Sequence, residues 1–290
     1  MVKIITGLFF LNTLFQSHLE FCKILFKTEG VENAYPHLSS DSKRILYQSN
    51  ATGKWQLMIF DLNTNTHIEI TKDKFNNNFA TWSSDNEWIS FVSDRDGNEE
   101  IYLMRTNGKE LKRITNHKGS DIHPHFSPDG KQLLFSSTRG NGTLDIYKYT
   151  IKTAALERIT YTKEDELFAR YSPDMKKIVY SKMGEKTDDV FVMNVTTHVS
   201  ENLTNTPDVQ DGWPMFNKNG EWIYYSSVKN GSRCIFKMKQ DGSDVTQLTF
   251  PTEENEEHAR VFVSQDEKTL IFNKKTGKTI SIWTANLNPS

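Results

Sequence analysis

One phrase, written six times, constrains this chain more than any other feature. Asp121 to Ser137 reads DIHPHFSPDGKQLLFSS, and Glu166 to Ser181 reads ELFARYSPDMKKIVYS. Turn residues align at Asp41, Asp85, Asp129, Asp174, Asn219 and Asp266, with spacings of 44, 44, 45, 45 and 47. Repeats of this length are the signature of one supersecondary unit copied along the chain. Six copies occupy residues 21–290, which read as one domain.

Each of the first five copies holds four short strand-like stretches. The first is YPHLS, FATWS, HPHFS, FARYS or WPMFN, each with Pro or Ala and a large residue two places later. A turn of Asp, Asn, Gly and Lys follows, then an apolar run such as WISFV or KIVYS. A second polar turn leads to a stretch such as IYLMR or VFVMN, and a weaker segment ends in Thr, as in LKRIT and LERIT. Strands of this length bounded by turn signals predict an antiparallel meander. The continuous apolar runs in the middle demand burial on both faces, so every sheet needs two neighbours. Six sheets in a circle supply them. The expectation is an all-β fold, a six-bladed β-propeller of four-stranded antiparallel blades.

Pro or Ala suits the crowded axis, and Pro is tolerated on an inner edge strand whose missing N–H faces the channel. Trp82, Phe126, Tyr171 and Phe216 share one repeat position and are expected to wedge adjacent sheets together, each worth roughly 2–3 kcal/mol of burial. The sixth copy supplies only three strands. Residues 22–28, within FCKILFKTEG, are expected to complete the last blade, because an unpaired outer edge would otherwise remain.

Composition narrows the function classes. A net charge of -2 and scattered Lys and Arg give no footprint for nucleic acid or an anionic membrane. Two cysteines, Cys22 and Cys234, form neither a disulfide framework nor a metal site by themselves. Met1-Val2-Lys3 precedes an apolar run of 12 residues from Ile4 to Phe15, within the range of a signal-peptide core and too short to cross a bilayer. Residues 1–20 are therefore expected to be a signal peptide, with a buried N-terminal strand or helix as the alternative. The mature chain is then periplasmic or secreted, without a membrane span.

No G-x-S-x-G or H-E-x-x-H sequence occurs, and Gly277-Lys278-Thr279 reads as a hairpin turn. Asp94 to Asn98 reads as a turn rather than a calcium loop, since no Glu closes the ligand set. No catalytic residue and no cofactor is expected. Binding chemistry gathers around the first strands. Three places before Pro or Ala stand Asn33, Asn77, Asp121, Glu166, Asp211 and His258; one place after stand His37, Thr81, His125, Arg170 and Met215. With His123 and Arg260 these form the expected partner- or ligand-binding set at the channel mouth. The imidazoles of His37, His123 and His125 could meet to hold a transition metal, but solvated or hydrogen-bonded histidines are the stronger expectation. The sixth copy aligns with either Val261 or Ala259 at the small position, which leaves the direction of His258 and Arg260 open.

HPHFSPDGKQLLFSSTRGNGTLDIYKY, His123 to Tyr149, and ATWSSDNEWISFVSDRDGNEEIYLM, Ala80 to Met104, resemble the propeller repeat of the TolB family of the Tol–Pal envelope system. The resemblance covers the chain after Phe21, although the α/β domain that precedes the family's propeller is not matched here. It implies an exported six-bladed ring whose channel mouth docks an envelope or extracellular protein, without catalysis. The alternative is an oligosaccharide-binding or metal-dependent propeller resembling oligogalacturonate lyases. It would recruit His37, His125, Arg170 and His258, with Arg meeting uronate carboxylates.

Overall fold

The structure, a computed structural model, describes residues 22–287, as six four-stranded antiparallel sheets in which each packs on the next and the sixth packs on the first. Blade 1 contains Asn33–Leu38, Arg44–Ser49, Gln56–Asp61 and Thr66–Glu69, from the axis outward. Blades 2 to 5 repeat that order from inner strands Asn77–Trp82, Asp121–Phe126, Asp165–Tyr171 and Asp211–Phe216. Blade 6 takes Glu256–Val263, Thr269–Thr276 and Thr279–Asn286 from the far end of the sequence. Its outer strand is Cys22–Phe26, antiparallel to Thr279–Asn286 with Cys22 opposite Ala285. The ring closes as the missing strand required. The expected signal peptide, residues 1–20, lies outside the described residues.

The core is six interfaces rather than one centre. Leu46, Leu57 and Ile59 of blade 1 pack with Trp82, Ile89 and Phe91 of blade 2 in one buried cluster. Phe126, Tyr171 and Phe216 make the same crossing in the next three interfaces, and Val263 and Leu38 make it in the remaining two. All six wedges are buried. Truncating an aromatic one to Ala would cost roughly 3–5 kcal/mol, because it is the contact that joins two sheets.

The repeated Ser-x-Asp phrase is a hydrogen-bonding device. In blade 3 the Asp129 carboxylate accepts from Ser127 Oγ at 2.6 Å and from the Lys131 N–H, while Ser127 Oγ accepts from the Gln132 N–H. Blades 1, 2, 4 and 6 repeat this set, and Asn217 with Asn219 replaces it in blade 5. The residue after the Asp or Asn has positive φ in all six copies, yet only Gly130 and Gly220 are glycines. Asn86 at 59° and Met175 at 60° take the same shape, held there by the side-chain bonds around them.

Every inner strand is also bulged at one point. Register shifts fall between Ala34 and His37, Asn78 and Thr81, Ile122 and His125, Leu167 and Arg170, Gly212 and Met215, and Ala259 and Phe262. This resolves the sixth copy in favour of Val261 at the small position. The residue just before the small one is left-handed in all six: Tyr35, Phe79, His123, Phe168, Trp213 and Arg260, with φ between 52 and 59°. A non-glycine residue there costs on the order of 1–2 kcal/mol. Part of the compensation is visible across blades. The bulged N–H of Phe79 donates to Gln48 Oε1 at 2.8 Å, that of Tyr35 to Asn273 Oδ1 at 3.1 Å and that of Trp213 to Ser181 Oγ at 3.1 Å.

Candidate binding site in the central channel

A bulge re-aims the side chain it carries. Here six bulges turn six side chains onto the axis, where they form a circle. Ring centroids are 4.7 Å apart for Tyr35 and Phe79, 4.3 Å for Phe79 and His123, 4.1 Å for His123 and Phe168, and 5.6 Å for Phe168 and Trp213. Arg260 closes the circle: its guanidinium carbon lies 4.8 Å from the Trp213 ring centre and 3.3 Å from that of Tyr35. The contacts are tilted or edge-on, which suits aromatic quadrupoles, and the cation sits against three rings, the third being Phe168 at 5.9 Å.

Two residues further along each strand a second layer forms. His37 meets Phe262 at 4.3 Å and His125 at 5.5 Å between ring centres, and the Arg170 guanidinium lies 5.7 Å from the Phe262 ring. The backbone N–H of Trp82 donates to His37 Nδ1 at 3.3 Å, so the proton of the neutral ring is on Nε2. The reverse holds for His125, whose Nδ1 donates to the Phe126 carbonyl at 2.9 Å and leaves Nε2 as an acceptor. Burial, and then the positive charge of Arg170, hold His125 near a pKa of about 3. Burial likewise keeps His37 and His123 well below the ordinary histidine range. Arg170 is pulled down to about 10 by burial and stays protonated at neutral pH.

The two layers divide the channel into chambers. A small one, about 60 Å³, lies between them and is lined by both arginines and by His37, His123 and His125. A wider funnel of about 360 Å³ opens from the second layer toward the strand 1–2 turns, and all six blades contribute to its wall. Leu38, Trp82, Phe126, Tyr171 and Phe262 give that wall an apolar character, with Ser84 and Lys218 at the rim. Among the described residues no carboxylate lines either chamber.

The expected site residues therefore separate into two groups. His37, Thr81, His123, His125, Arg170 and Arg260 line the channel. Thr81 is engaged within the wall, its Oγ1 bonded to Ser90 Oγ at 2.7 Å and to the Pro124 carbonyl. Asp121, Glu166, Asp211 and His258 are buried where strands begin and line neither chamber. Asp121 is ion-paired with Arg139. His258 Nε2 lies 2.6 Å from Glu256 Oε1, whose other oxygen meets Lys274 at 3.0 Å. Burial raises the carboxyl pKa values of Glu166 and Asp211. Among the described residues no three His, Cys, Asp or Glu side chains are placed to hold a metal together.

Tyr35, Phe79, Phe168 and Trp213 were not among the expected residues. Their signal was a large side chain one place before Pro or Ala in five copies. In regular alternation it reads as an ordinary strand residue, and only the bulge turns it inward.

The sequence matches the TolB beta propeller domain over residues 32–208 and 169–290. It is 34% identical over 208 residues to the Tol-Pal system protein TolB of Bordetella pertussis, covering 71% of this chain and 47% of that one. The chain thus spans about half the length of that curated relative. The crystal structure of TolB from Acinetobacter baumannii superposes with a TM-score of 0.68 at 28% identity, over 77% of this chain and 55% of the other. An oligogalacturonate lyase solved with manganese shares the fold, with a TM-score of 0.66 at 13% identity, over 92% of this chain and 93% of that one.

Proposed function

The chain belongs to the TolB β-propeller family, and from that membership and the channel geometry we propose that it is a non-catalytic binding module docking a protein partner at its funnel mouth. The observation that carries this reading is the funnel itself: about 360 Å³, built by all six blades, apolar inside and polar at the rim. Such a surface combines a desolvated centre with a solvated edge, the arrangement of protein docking sites. Residues 1–20 act in this reading as an export signal, and the partner is an envelope or extracellular protein.

The test is retention of envelope proteins on the immobilised chain. Wild type retains a defined protein, and a rim variant, Ser84→Trp, loses it because an indole at that exposed position blocks the mouth. Equal retention by both, or none by either, contradicts docking at this mouth.

A second reading has one observation in its favour. His37, His125 and Arg170 converge on one layer, and these are three of the residues that the lyase-like alternative would use. The fourth, His258, lies in the interior of blade 6 against Glu256. Ultraviolet absorbance rising on incubation with uronate oligomers and manganese supports the alternative; a flat trace with the metal present removes it.

A further inference from the structure

Five polar atoms around the small chamber have no hydrogen-bonding partner among the described residues: His37 Nε2, His123 Nδ1, Arg170 Nη1, Trp213 Nε1 and Arg260 Nη1. Four of the five are donors, namely both guanidinium nitrogens, the indole N–H and the Nε2–H of His37. His37 is only 7% exposed, and its tautomer is fixed by the Trp82 N–H on the opposite nitrogen. Among the described residues neither Arg170 nor Arg260 has a carboxylate within ion-pairing distance, and nor do Arg44 and Arg233, whereas Arg95, Arg105, Arg113, Arg139 and Arg158 do. Two guanidinium groups that meet aromatic rings but no carboxylate thus face one chamber, and among the described residues no acidic side chain lines it.

Water could satisfy the donors, but it cannot neutralise the charge. Burying unpaired cations is costly, and a preorganised set of donors around them is the arrangement that an anion fills. The chamber's 60 Å³ exceeds the roughly 10–15 Å³ that one water needs, leaving room for a group the size of a carboxylate or halide. The His37, His125 and Arg170 layer borders both the chamber and the funnel.

We propose that the small chamber is an anion seat for a single carboxylate-sized monovalent anion, held by Arg170 and Arg260 with the Nε2–H of His37. Two sources share this chemistry: a free anion such as acetate or chloride, and the terminal carboxylate of a peptide reaching in through the funnel. The seat stands apart from the docking reading, since the mouth could dock a protein with the chamber empty.

The experiment is thermal unfolding of the full chain and of Arg170→Gln in rising sodium acetate, with bromide-soaked crystals as a direct second measurement. Acetate raises the melting temperature of wild type saturably, Arg170→Gln weakens the half-saturation at least tenfold, and bromide scatters anomalously between the two arginines. Should Arg170→Gln fail to fold, the bromide position in wild type decides alone. An equal response of both proteins to acetate, together with no bromide in the chamber, overturns the seat. A pentapeptide with a free C-terminus is compared with its C-terminal amide. Competition with acetate by the acid alone identifies a chain end as the source and supports the seat. Acetate binding without peptide competition supports it too and identifies a free anion.

Discussion

The channel histidines link single residues to the behaviour of the whole fold. His125 is held neutral near a pKa of about 3, while the same side chain in the unfolded chain titrates near its ordinary value of about 6.5. Below that ordinary value the unfolded chain binds a proton that the folded chain does not, so stability falls as pH drops through the window between the two. Above it both states are neutral and this residue adds no pH dependence. Each such group contributes a slope approaching about 1.4 kcal/mol per pH unit. His125→Asn is therefore expected to flatten the stability profile by about 1 kcal/mol per unit between roughly pH 6 and 4, measured by denaturant unfolding. An unchanged slope would mean that the ring is already charged in the folded chain. At this scale the sequence was partly legible. His37, His125 and Arg170 share a repeat position, which pointed them toward the mouth or walls of the channel without grouping them in one layer. The equally important Tyr35, Phe79, Phe168 and Trp213 were hidden, because an extra residue in a six-residue strand leaves no trace in a period-2 pattern.

At the scale of the element, the terminal Thr of the first five copies shows what a weak sequence signal was for. The Oγ of Thr71, Thr115, Thr160, Thr204 and Thr249 accepts the backbone N–H of Leu57, Ile101, Ile146, Val190 and Ile235, at 2.8 to 3.0 Å. Each bond ties the end of an outer strand to the third strand of its own blade. Thr249 is buried, so Thr249→Val keeps the volume while leaving the Ile235 N–H unsatisfied. A loss of about 1–3 kcal/mol is expected from denaturant unfolding, against near zero for the exposed Thr64→Val. Equal effects would show that the repeated Thr is incidental. The sequence displayed the Thr at the end of five copies but not its partner, since the acceptor role appears only once the strands are paired. The Ser-x-Asp turn was more legible, because its side chains bond to backbone within five residues.

At the scale of the molecule, six similar sheets and their closure followed from spacing alone, because a sheet buried on both faces has few other arrangements. The division of the channel did not follow. It depends on side chains of six different blades meeting at the axis, and no local window contains them together. Closure and division are physically joined: if blade 6 came loose, Arg260 would leave its place between Tyr35 and Trp213 and both chambers would merge. The outer strand Cys22–Phe26 is what holds blade 6 against that loss, and a cross-link tests it directly. Cys22 lies opposite Ala285, and opposed residues of an antiparallel pair have Cα atoms about 4.5–5.5 Å apart, within disulfide reach. Ala285→Cys in the full chain should oxidise quantitatively with Cys22, leave Cys234 free, and raise the melting temperature. A variant that stays reduced under oxidant, or that joins Cys22 to Cys234 instead, would contradict a ring closed by its first strand.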